Sequence, residues 1–167
     1  MKEVITPAAC AAAFACVSPA AAQSQADVES CLIDETTPMV RHAFENNIAG
    51  GRPVSQEADA ASNQALLDCE RKLGWTRDQT VNAAAYATFF LRFQRAEAEA
   101  NDRGMIRSRK EKLKRGAALL EAGDDYQFDI WLSRAGYPSY QHLNETRDFA
   151  YFEAWLQLLT ARNRFTG

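Results

Sequence analysis

The chain holds two histidines, His42 and His142, too far apart in sequence to form a local pair. His42 is followed by Glu45 and preceded by Glu35, so one continuous helix would set the three on a shared face, as in part of a carboxylate and histidine metal site. Pro38 starts the helix too late for that, and a surface histidine beside a carboxylate is the expected state. His142, between Tyr140 and Leu143 near a turn, is expected to be partly buried and hydrogen-bonded. Glu121, Asp124, Asp125 and Asp129 supply the paired acids that glycoside hydrolysis needs. Asp124 and Asp125 fall at a helix start, however, where free backbone N-H groups and the helix dipole favour negative side chains without catalysis. Ser, His and Asp occur, but no G-x-S-x-G elbow, H-E-x-x-H helix or phosphate-binding Gly-rich loop does. No catalytic, metal or cofactor residue is assigned, and enzymatic activity is left unsupported.

The most distinctive polar feature is a basic run. Arg103, Arg107, Arg109, Lys110, Lys112, Lys114 and Arg115 stand against Glu111 alone, whereas between Gln23 and Glu70 the only basic side chains are Arg41 and Arg52. On a helix, steps of one and two residues do not share a face, so the cations spread around the circumference as a solvated collar. The functional alternative is docking of Arg107, Arg109, Lys110, Lys112, Lys114 and Arg115 to an anionic partner, such as lipid headgroups, an acidic polysaccharide or an acidic protein. The net charge of -3 gives no global attraction to nucleic acid, and the compartment disfavours it.

That compartment follows from the N-terminus. Residues 4–22 are uncharged and rich in small apolar side chains, and the polar run Gln23-Ser24-Gln25 follows at once. Ala20 and Ala22 fit the small-x-small site of a signal peptidase, with Pro19 breaking the preceding helix. A signal peptide over residues 1–22, cleaved after Ala22, is expected, although Lys2 is offset by Glu3 in its first residues. The helical domain then spans 23–167, in the periplasm or outside the cell, and no second apolar run is long enough to span a membrane. Cys10 and Cys16 leave with the leader. Cys31 and Cys69 remain as a single pair, expected to be joined, since their spacing is neither C-x-x-C nor part of a zinc set.

The elements that must position these residues read as helices throughout. A short turn carries Val28, Cys31, Leu32 and Ile33. Thr36 or Thr37 before Pro38 opens the next helix, which Gly50-Gly51-Arg52-Pro53 ends. Ser55 caps a helix running to Gly74, with Cys69 on its inward stripe. Thr76 and Gln79 form a capping box for the longest helix, about Arg77 to Asp102, whose expected inner line is Val81, Ala85, Phe89 and Phe93, broadened by Tyr86, Phe90 and Leu91, and whose last turns should project into solvent. Met105 to Ala122 follows, with Ile106, Leu113, Ala117 and Leu120 inward. Asp125 to Ala135 presents Tyr126, Ile130 and Trp131, and Asn144 caps a last helix bearing Phe149, Phe152, Leu156 and Leu159. Alternating strand patterns and internal repeats are absent, so the expected fold is all-α, a single-domain bundle of five or six helices.

The 47% apolar content and the Phe, Tyr and Trp supply argue for a packed core. In the aromatic C-terminal stretch, the Gly136-Tyr137-Pro138-Ser139-Tyr140 turn is expected to expose Tyr137 and Tyr140 as an interface to a protein or sugar. The leading functional expectation is a non-catalytic binding or envelope-associated protein whose partner is a macromolecule. The alternative is a small enzyme or ligand carrier with a site between helices.

Overall fold

The computed structural model describes residues 24–34, 36–47 and 54–166. The expected leader, residues 1–22, Glu35 and the expected Gly50 to Pro53 break lie outside the described residues. Those described form α1 (Gln25–Val28), a π-helical turn (Glu29–Asp34), α2 (Pro38–Asn47), α3 (Gln56–Leu73), α4 (Arg77–Asp102), α5 (Arg107–Glu121), α6 (Asp125–Ala135), α7 (Tyr140–Asn144) and α8 (Phe149–Thr166), with no strand among them. The eight α-helices exceed the expected five or six because α1 and α7 are single turns with their own caps. No helix among the described residues is long and apolar enough to cross a membrane.

Short polar side chains set the helix starts, as their types require. Ser24 and Asp27 make a capping box at α1, Ser55 Oγ accepts from Ala58 N (3.2 Å), and Thr76 with Gln79 makes the box at α4. Asp124 caps α6 and Ser139 caps α7. Asn144, expected to cap the last helix, closes α7 instead, and α8 begins beyond a turn in which Asp148 O accepts from Phe152 N (3.0 Å).

The longest helix, α4, is central: α1, the π-helical turn, α2, α3 and α8 all pack on it. Its buried face runs through Ala83, Tyr86, Ala87, Leu91 and Phe93; Tyr86, Leu91 and Phe93 lie inward as expected, whereas Val81 is 58% exposed. A line of strict four-residue steps rotates by about 40° per step on a helix of 3.6 residues per turn, so Val81 and Phe93 cannot both face inward. The last turns of α4 do not project freely either. Ala100 is fully buried, and Glu97 meets Lys110 of α5.

Two ties hold the N-terminal segment to this frame. Cys31 in the π-helical turn and Cys69 in α3 form a disulfide with Cα atoms 6.0 Å apart, and both are buried. A loop of this length is worth about 4 kcal/mol in the chain-entropy account. Tyr86 of α4 donates to Glu29 Oε1 at 2.5 Å.

At the other end the core is aromatic. Trp131 stacks on Phe128 (centroids 5.5 Å) and on Phe152 (5.9 Å), and Phe149 stacks on Phe152 (6.3 Å). Offset rings at these separations add to the area they bury. The α5 backbone can approach this stack because residue 116 is glycine. A Cβ there would fall inside contact distance of the six-membered ring of Trp131, whose Nε1 donates to Lys112 O at 3.1 Å. Phe128, Trp131, Leu132 and Ala135 are the buried residues of α6, while Tyr126 is exposed in its first turn.

Candidate functional site

The basic run lies on α5, and tertiary packing divides it. Positions 109, 110, 113, 114 and 117 share one face by helical steps of three and four and turn toward α8 and the end of α4. Arg109 donates through Nε (2.9 Å) and Nη2 (2.6 Å) to Asp148 Oδ2, and also to the Tyr137 hydroxyl, with its guanidinium carbon 5.0 Å from the Tyr137 ring centroid. Lys110 is only 8% exposed and is held by Glu97 Oε1 (3.2 Å) and by Asn101 Oδ1. Lys114 lies over the Trp155 ring (4.8 Å) and the Phe93 ring (5.5 Å), with Glu111 at 3.6 Å. Long cationic stems packed along aromatic surface with their heads paired are structural members. These three do not join a solvated collar.

Arg107, Lys112 and Arg115 face outward and are exposed. Lys112 and Arg115 border a groove of about 420 Å³ between α5 and α6, and Arg134 of α6 borders it from the other side. Its floor is Leu119, Ile130 and the edge of Trp131. The order along both helices explains this: Ser108, Glu111, Lys112, Arg115 and Leu119 fall on one side of α5, and Gln127, Ile130, Trp131 and Arg134 on one side of α6. Among the described residues, no carboxylate lies within the 4.0 Å ion-pair distance of Lys112, Arg115 or Arg134. Glu111, the acid on the rim, faces Lys114. The groove therefore presents surplus positive charge above an apolar base, which suits an anion carrying apolar surface.

Tyr137, expected at an exposed turn, is 3% exposed. Gly136 at φ 89° ends α6 in a left-handed conformation that reverses the chain, so the next side chain swings back into the core instead of outward. The Tyr137 hydroxyl donates to Asp148 Oδ2 (2.5 Å). Burial pushes its phenol above the ordinary 10.0, the Asp148 hydrogen bond and charge push it further, and Arg109 opposes them. Tyr140 remains exposed, its ring edge-on to Phe128 and Phe149, and burial of part of its surface, then the charge of Glu153, raise its phenol above the ordinary value. Tyr151 is fully buried and its hydroxyl has no hydrogen-bond partner; burial, then Glu97 and Glu111, raise it.

The remaining sequence candidates do not converge. His42 is exposed beside Asn46, and His142 is exposed where partial burial was expected, because the one-turn α7 presents it to solvent. Glu121 accepts from Asn163 (2.7 Å) and Asp124 caps α6, so these acids line no common cleft. No group of three His, Cys, Asp or Glu among the described residues is placed to hold a metal. Other grooves occur, and two of them bear on the reading. One between α3 and α4, about 460 Å³, is rimmed by exposed Leu67 and Val81, and its Thr80 hydroxyl already donates to Glu70. The other, about 320 Å³ among α2, α4 and α8, mixes Arg92 and Arg95 with Glu45, Glu99 and Glu153, so its charges answer one another.

Sequence reasoning missed Arg134, Asp148 and Gly116. Arg134 follows Ile130 by four on α6, a spacing that could have flagged it. Asp148 and Gly116 carry no local signal, since each matters only through a residue far away in sequence. Comparison with protein-family models, with curated proteins and with solved structures finds no match to this chain.

Proposed function

We propose that this chain is an exported, non-catalytic binding protein, periplasmic or secreted after loss of residues 1–22, that attaches to an anionic component of the cell envelope through the groove between α5 and α6. The observation that carries the reading is the gathering of Lys112, Arg115 and Arg134, none of them ion-paired, around one apolar-floored depression. The buried Cys31 and Cys69 disulfide supports an oxidising compartment, where such bonds persist. The groove is open to solvent, which suits attachment to a surface component.

Lys112, Arg115 and Arg134 changed together to Glu should abolish co-sedimentation with envelope preparations. The unmodified protein should be released as sodium chloride rises through about 0.1 to 0.5 M, where screening shortens the reach of charge. Equal sedimentation of the variant and the unmodified protein would remove the groove from consideration. The export half has its own test. Protein taken from its native location should begin at Gln23 and resist alkylation at Cys31 and Cys69, and a chain beginning at Met1 with two reactive thiols refutes it.

A further inference from the structure

The size and lining of the α5 and α6 groove say more about its occupant than charge alone. At about 420 Å³ it falls within the roughly 300 to 1,000 Å³ range of small-ligand sites. Its floor is aliphatic in what it offers. Trp131 is only 7% exposed and its Nε1 is committed to Lys112 O, so it offers little ring surface on which a planar ligand could stack. Ile130 and Leu119, each half-buried, furnish the accessible apolar surface. Arg115 and Arg134 carry the planar forks that match phosphate or carboxylate oxygens, with Lys112 as an added point charge. Glu111 on the same rim pairs with Lys114 at 3.6 Å and makes no ion pair with Lys112, Arg115 or Arg134.

We infer that the groove holds a single-chain anionic lipid, its phosphate on Lys112, Arg115 and Arg134 and the first part of its acyl chain along Leu119 and Ile130. This rests on the envelope-binding reading above and names the contact group within that envelope component. An acidic peptide or polysaccharide would use the cations but leave the aliphatic floor unfilled. An uncharged lipid would do the reverse.

Calorimetric titration separates these cases. The probes are dodecyl phosphate kept below the concentration at which it forms micelles, dodecyl maltoside as the same chain without charge, and inorganic phosphate as the charge without the chain. Saturable one-site binding is expected for dodecyl phosphate, with each of the other two probes at least about tenfold weaker. The exposed-site variant K112Q/R115Q/R134Q, its fold checked by near-ultraviolet circular dichroism, should weaken dodecyl phosphate by roughly tenfold or more and leave dodecyl maltoside unchanged. Equal affinity for dodecyl phosphate and dodecyl maltoside, or for dodecyl phosphate and inorganic phosphate, overturns the inference, as does dodecyl phosphate binding that the variant does not alter. If dodecyl phosphate fails to bind while the unmodified protein still sediments with envelope and the triple-Glu variant does not, the lipid assignment falls and the envelope-binding reading stands. If sedimentation is also insensitive to the Glu changes, both fall.

Discussion

Arg109 and Arg115 belong to the same basic run and the same helix, yet one is locked and the other is free. Arg109 is fixed by Asp148 and Tyr137 from two further elements, while Arg115 meets no carboxylate and borders an open groove. The difference lies in what packs on each side of α5. The inner side meets α8, the end of α4 and the turns that hold Tyr137 and Asp148, which supply acids and rings, and the outer side borders α6, where Gly116 lets Trp131 come close. A cluster of like charge is thus not one feature. Its inner half joins the helices, and its outer half remains available for a partner.

The largest break in this contrast should come from Gly116→Val. The added side chain must displace the stacked Trp131 ring and prise α5 from α6, costing about 3 kcal/mol in urea unfolding. A loss below about 0.5 kcal/mol would mean that the close approach is not required. Asp148→Ala comes next. It leaves the Arg109 guanidinium and the Tyr137 hydroxyl without their shared acceptor, for about 2 kcal/mol, reduced from a fully buried case because both charged groups keep some contact with water. A double-mutant cycle with Arg109→Ala should give clear coupling, and additive losses would show that the pair is not a working joint.

Two tyrosines sharpen the same comparison. Tyr137→Phe removes a bonded hydroxyl and should cost about 1 kcal/mol, whereas Tyr151→Phe removes a buried hydroxyl with no partner and should be neutral or slightly stabilising. Equal losses would contradict the bonding pattern. Because both phenols are raised in the folded protein, the stability each contributes is complete below the ordinary value of 10.0 and is lost as pH rises above it through the folded value. Each substitution should flatten the alkaline fall of the urea midpoint. The smallest effect on stability is expected from Lys112→Glu with Arg115→Glu, within about 0.5 kcal/mol of the unmodified chain. The same pair should lose envelope binding, so a fall in stability comparable to that of Asp148→Ala would place these cations in the structural half of α5.

Much of the helical frame was legible before any coordinates. Ser55, the Thr76 and Gln79 box and the Gly74 and Gly136 stops are local signals, set by backbone groups within a few residues, and each stands where its type predicts. The cysteine pairing was legible by elimination, since Cys10 and Cys16 fall in the expected leader and leave only Cys31 and Cys69. Errors arose where a face had to be chosen. Val81, Ile106 and Tyr126 were read as inward because apolar residues near a stripe look alike in sequence, and Ile106, at 68% exposed, turned out to precede the first turn of α5.

The sequence by itself determined the helical class, the caps, the stops and the sulfur pairing, because hydrogen bonds within a turn and the period of a helix act over a few residues. Only the tertiary structure decided which cations are bound and which are free, that Tyr137 turns inward, and that Arg134 joins Lys112 and Arg115 across a groove. Those outcomes depend on which helix covers which face, and that is settled by packing between side chains brought together from distant parts of the chain.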